Sequence, residues 1–157
     1  MELAASSRSG PNQWTYSDPR HTRGLVAWLF PGQGSQIAGM GRGLSSAFAG
    51  ASHTYEEANN ALGLDLGALC WDGPASELER TANAQPAILA TSIAALRAAD
   101  TMGLVADDPI LLGHSLGEFT ALVAGGALDF GDALRLVRKR GELMEAADAS
   151  GGMAAVL

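Results

Sequence analysis

The chain has 157 residues, enough for one domain with a real core and too few for two ordinary ones. Hydrophobic residues make up 47% and charged residues 17%, a soluble globular composition. Seventeen acidic against ten basic side chains leave a net charge of −7, which argues against nonspecific binding to nucleic acid or to an anionic membrane.

No apolar run approaches the ~20 residues of a membrane span. The N-terminus lacks the apolar segment of a signal peptide, so the expected location is cytoplasmic. A single cysteine, Cys70, excludes an internal disulfide and any multi-cysteine metal site.

In chain order, residues 1–23 are polar and aperiodic and read as a flexible leader, with Trp14 and Tyr16 its two large aromatics. "LVAWLF" (Leu25–Phe30) is a short apolar run closed by "PGQGSQ", the pattern of a buried strand and a glycine turn. A helix is expected from about Ile37 to Phe48, and another through "HTYEEANNAL". In "NAQPAILATSIAALRAA", Pro86 suits the first turn of a helix, and Leu89, Ile93 and Leu96 recur on one face. "PILL" (Pro109–Leu112) is a second buried strand, and a helix-like segment follows Ser115. Asp129 or Gly131 opens the last long helix, and "GMAAVL" is a third strand candidate. Strands alternating with helices imply an α/β fold with parallel strands and helical crossovers.

Gly113-His114-Ser115-Leu116-Gly117 is a Gly-x-Ser-x-Gly pattern between an apolar strand and a helix. The first glycine permits the sharp turn, the second lets the helix pack closely, and the serine is left at the apex as a nucleophile. The backbone N–H of Leu116 can then donate to a developing oxyanion. A second donor is expected from another loop, and "FPGQGSQ" (Phe30–Gln36) is the candidate, because Gly32 and Gly34 permit a close backbone approach. That loop is not a dinucleotide fingerprint, since Ile37 occupies the position of its third glycine.

On the last helix the apolar stripe runs Ala133, Leu136/Val137, Leu143/Met144, Ala147, with Arg140 in its middle. Arg135, Arg138, Lys139 and Glu142 fall mostly toward the other face, where solvation is expected. A guanidinium on a core-facing stripe needs an anion, either an internal Asp or Glu or a bound carboxylate held by two hydrogen bonds.

A serine nucleophile needs a base, and none is evident. His21 lies in the leader, and His53 belongs to an expected surface helix. His114 adjoins the serine, but alternation across the turn points it away from the hydroxyl. Elbow folds order their triad as serine, acid, histidine, and no histidine follows Ser115.

Together "FPGQGSQIAGMG", "NAQPAI", "GHSLGEFTALVAGGAL" and "LVRKRGELM" resemble the malonyl-CoA:acyl-carrier-protein transacylases and the acyltransferase domains of polyketide synthases. The resemblance covers residues 24–157, the N-terminal half of a family member. It implies an α/β-hydrolase-like large subdomain over 24–150. "GGMAAVL" (151–157) would be the first strand of an inserted ferredoxin-like small subdomain.

By this resemblance Ser115 takes a malonyl group from malonyl-CoA as an ester and passes it to the phosphopantetheine thiol of an acyl carrier protein, for fatty-acid or polyketide synthesis. No permanently bound cofactor or metal is implied. Gln33 and Leu116 would supply the oxyanion amides, Arg140 would pair with the malonyl carboxylate, and Gln85 would line the same pocket. Leu116 after the serine is similar to the malonyl-selective members. The family's catalytic histidine belongs to the C-terminal half, to be supplied by a longer chain or a second one, so these residues alone are expected to turn over negligibly. Two other readings stand beside this one: a serine esterase or thioesterase, and an inactive fragment that binds a carrier protein.

Overall fold

The computed structural model describes residues 26–105 and 108–147; the expected leader and the expected strand at 151–157 lie outside the described residues. Two strands, β1 (Ala27–Phe30) and β2 (Ile110–Gly113), pair in parallel with Ala27 opposite Ile110 and Phe30 opposite Gly113. Parallel strands require a crossover. Here it carries α1 (Arg42–Ala47), α2 (Ala49–Leu62), α3 (Leu66–Asp72), α4 (Ala75–Glu79) and α5 (Thr81–Thr101). Beyond β2 come α6 (Leu116–Ala124) and α7 (Phe130–Ala146). The α/β class and the parallel pairing agree with the sequence reading. No helix among the described residues is long and apolar enough to cross a membrane.

The core is mainly helical. The 21-residue α5 packs against α7, α2 and α6. Its first half is buried on every side, from Ala82 through Ala90, and the small alanines let three neighbouring helices approach it. Leu89 and Ile93 sit in this core with Leu66, Leu116, Leu134 and Val137. Burial also keeps the Cys70 thiol neutral, pushing its pKa up to about 12.

The sheet is covered on one face only among the described residues. Phe30 is buried and Trp28 and Leu111 half-buried on the side that meets α6, whereas Ala27, Leu29, Ile110 and Leu112 point away, Leu29 being 74% exposed.

Both strands, expected to be buried, are so on one face only among the described residues; four other expectations change. The helix expected from Ile37 begins only at Arg42, because Gly41 holds a left-handed turn (φ 77°) immediately before it. Two short helices, α3 and α4, were not anticipated, being too brief to show a period. Pro86 is the sixth residue of α5, not part of its first turn. Proline removes the N–H that would bond the Ala82 carbonyl, and Arg138 Nη1 donates to that carbonyl instead, at 3.2 Å.

The stripe on α7 is the fourth. The buried residues are Phe130, Ala133, Leu134, Val137 and Gly141, while Leu136 and Leu143 are exposed. Arg140 therefore borders the core, half-buried, and does not lie inside it. Arg138 borders the opposite edge, and beyond its ion pair with Glu142 it also donates to Asn83 Oδ1 on α5. It braces two helices and is not simply solvated.

Candidate active site

β2 ends at Gly113 and α6 starts at Leu116, so His114 and Ser115 must reverse the chain between them. Ser115 does so at φ 54°, ψ −100°, and it is the only non-glycine with positive φ among the described residues. Such a conformation costs about 1–3 kcal/mol and persists only where the surroundings enforce it. The glycines are part of that enforcement. A Cβ on Gly113 would overlap the Gly117 carbonyl carbon, and one on Gly117 would overlap the Phe30 carbonyl oxygen. Strand, turn and helix are thus packed backbone to backbone, and the serine side chain stays exposed at the apex.

The loop after β1 is tied to the same turn. The His114 N–H reaches the Phe30 carbonyl at 3.5 Å, and a Cβ on Gly32 would lie 2.7 Å from the His114 carbonyl oxygen. Gln33 is exposed on this loop, its side chain anchored by donation from Nε2 to Thr81 Oγ1 at 3.0 Å. At the start of α6, the amides of Gly117 and Glu118 are used by the carbonyls of His114 and Ser115. The N–H groups of Leu116 and Gln33 have no acceptor among the described residues. The Leu116 amide also carries the partial positive charge of a helix N-terminus.

Three of the expected site residues come together, two from helices and Ser115 from the turn before α6. Arg140 on α7 donates from Nη2 to Ser115 Oγ at 2.9 Å and from Nη1 to Gln85 Oε1 at 2.8 Å. The guanidinium carbon lies 5.8 Å from the centre of the Phe119 ring on α6, within cation–π range. Gln85 is fully buried behind it and donates from Nε2 to Met144 Sδ at 3.3 Å. Phe119 was not singled out from sequence, and Met144 only as a member of the apolar stripe on the last helix. Both follow a recognised residue by four positions, Ser115 and Arg140, which on a helix places them on the same face.

The charges around Arg140 are unlike those anywhere else described. Arg42, Arg80, Arg97, Arg135, Arg138 and Lys139 each form an ion pair with a carboxylate. Arg140 has none among the described residues, and its hydrogen-bond partners are a neutral amide and a neutral hydroxyl. It opens onto a largely apolar groove of about 420 Å³, lined also by Phe119, Leu136, Lys139, Leu143, Met144 and Ala147. A second hollow of about 460 Å³, beneath Trp28 and Asp108, touches none of these residues.

No imidazole is hydrogen-bonded to Ser115 among the described residues. The His114 ring lies by the Gly32 backbone, its Nδ1 3.1 Å from where a Cβ would stand. His53 sits on α2 between Glu56 and Glu57.

An exposed serine on a strained strand-to-helix turn, with two unengaged amides and an arginine at hand, defines an α/β protein of the nucleophile-elbow class. The chain belongs to the acyl transferase domain family, whose sequence profile matches residues 27–157. It is 51% identical over 134 residues to the malonyl CoA-acyl carrier protein transacylase of Bacillus subtilis strain 168, covering 84% of this chain and 42% of that protein. Among solved structures it is similar to the acyl-carrier-protein-S-malonyltransferase of Bartonella henselae, with TM-score 0.76 and 44% identity, over 80% of this chain and 40% of that one. A malonyl-transacylase solved in complex with a type II PKS acyl-carrier protein matches at TM-score 0.73 and 47% identity, over 79% of this chain and 40% of that one. The chain thus spans about two fifths of the length of these relatives.

Proposed function

We propose that the chain carries the nucleophile and the acyl-recognition half of a malonyl-CoA:acyl-carrier-protein transacylase. Ser115 Oγ attacks the thioester carbonyl of malonyl-CoA, the C–S bond breaks, and the CoA thiol leaves with a proton, leaving malonyl-Ser115. The thiol of a carrier protein's phosphopantetheine then attacks that ester, and the serine recovers its proton. The Leu116 and Gln33 amides stabilise the oxyanion of both tetrahedral intermediates, and Gln85 supports the pocket. The observation that carries the reading is Arg140, a cation with no described carboxylate partner, 2.9 Å from the nucleophile. A malonyl group esterified at Ser115 places its free carboxylate within reach of that guanidinium. A hydrolase of neutral esters gains nothing from such a cation. The names of the relatives support malonyl-CoA and an acyl carrier protein as the two substrates.

The base that accepts the Ser115 proton is not among its described hydrogen-bond partners. Loss of a triad member leaves about 10³–10⁴-fold catalysis over water, from binding and the oxyanion hole. Intact-mass analysis of the 157-residue chain after incubation with malonyl-CoA tests the proposal. One malonyl group per chain is expected, acquired slowly and absent in Ser115→Ala. In Arg140→Ala the rate should fall about 10- to 100-fold, the worth of a lost charge-assisted hydrogen bond. Malonylation at another residue, or an unchanged rate in Arg140→Ala, overturns the reading.

A further inference from the structure

We infer that Met144 and Gln85 are positioning residues that set Arg140 in one orientation, with the Met144 thioether holding the Gln85 amide in place from its far end. The inference rests on the role proposed above for Arg140 and concerns how that role is enforced.

The two ends of a glutamine side chain are nearly the same shape, and only their hydrogen bonds tell them apart. Gln85 is fully buried, so water cannot fill in for a missing partner. Its Oε1 accepts from Arg140 Nη1, and its Nε2 donates to Met144 Sδ. Turned over, the amide would set N–H groups against a guanidinium that only donates, and a carbonyl against a sulfur that only accepts weakly. Both contacts reject the flip, so the carbonyl faces Arg140 permanently.

The geometry is built into the helix pair. Arg140 and Met144 are one turn apart on α7, and both reach Gln85 on α5. The helices come that close because Gly141 lies between the two residues, where a Cβ would stand 2.6 Å from Ala82 Cα. With Nη1 engaged by Gln85, Nη2 by Ser115 and the guanidinium carbon over the Phe119 ring, rotation about the Nε–Cζ bond is opposed at three points. The anchor is also neutral. A carboxylate in place of Gln85 would hold the arginine equally well but would cancel the charge meant for the acyl group. An amide locked carbonyl-forward fixes the cation and leaves its charge available.

Because Gln85 is buried, Gln85→Leu would report packing as much as orientation, so the half-buried Met144 is the better target. Met144→Leu removes the acceptor at similar volume, and Met144→Gln restores one. The readout is guanidinium 15N NMR on the full chain, with the Arg140 signals assigned by their loss in Arg140→Lys. Separate Nη1 and Nη2 resonances are expected in the wild type, merged in Met144→Leu and separate again in Met144→Gln. Malonate alone, titrated as the probe of the anion site, should bind about 5- to 10-fold more weakly to Met144→Leu and within about twofold of wild type to Met144→Gln.

Merged Nη signals in the wild type overturn the inference, as does a Met144→Leu variant that keeps separate signals and full malonate affinity. If Met144→Leu merges the signals but malonate binds no form of the chain, the positioning stands and the malonyl assignment falls. If malonate binds wild type and Met144→Leu equally, the positioning falls and the malonyl assignment stands.

Discussion

Ser115 holds a backbone conformation that a side chain resists, and the resistance is a measurable property of the site. Ser115→Gly relieves the positive φ, worth about 1–3 kcal/mol, against roughly 0.5–1 kcal/mol of added chain entropy in the unfolded state. Ser115→Ala keeps the strain. Urea unfolding should therefore find Ser115→Gly the more stable of the two by about 1 kcal/mol, although both lack the hydroxyl. Equal midpoints would mean that the turn is unstrained. At this scale the serine was legible in sequence, because glycine spacing and the flanking apolar strand are local signals. The two arginines on α7 were less so. Both lie about 80° from the centre of the buried stripe, on opposite sides, at 100° per residue. Leu136 and Leu143 widen the apolar arc on the Arg140 side, and that drew the apparent centre toward Arg140. The resulting reading of Arg140 as inward was half right, and that of Arg138 as solvated was wrong.

The α5–α7 pair is the element on which the site depends. Its contacts cluster at the N-terminal turns of α5, where helical N–H groups lack partners of their own. Glu145 of α7 serves as a substitute cap: its Oε1 accepts the Ala82 N–H at 2.9 Å, and its other oxygen pairs with Arg80. That backbone N–H, with Arg80, holds the Glu145 carboxyl below the usual range. A depressed carboxylate pKa adds stability that is present above the unfolded-state value and is lost as pH falls through the folded one. Glu145→Gln keeps an acceptor but removes the titration. Its stability relative to wild type should rise on acidification from about pH 7 to pH 3, followed by urea midpoints. Parallel curves for the two proteins would show that the cap does not titrate with folding. None of this was visible in sequence: a proline in a helical pattern announces a first turn, and only the neighbouring helix reveals that Arg138 replaces the missing bond.

At the scale of the whole fold, one sheet face is covered by α6 and, among the described residues, the other bears Leu29, Ile110 and Leu112 at the surface. Exposed apolar strands with open edges invite association. Leu29→Thr with Leu112→Thr should lower dye binding to the exposed face and reduce self-association in sedimentation. The urea midpoint should stay within about 0.5 kcal/mol of wild type, as for surface positions. A large loss of stability would show that the face is covered in solution. The fold class was readable from the order of strands and helices, but this face was not, since apolar strand runs say nothing about which side meets a partner. The same two strands also govern how the site comes into being. Their pairing waits on residues 31–109, a long loop whose closure entropy must be met before any strand contact repays it. Local helix formation is far faster than such closure. The loop after β1 and the turn at Ser115 are packed together through that pairing, by Phe30, Gly32 and Gly117. Loop and turn therefore reach their observed spacing in the same event that joins the two strands.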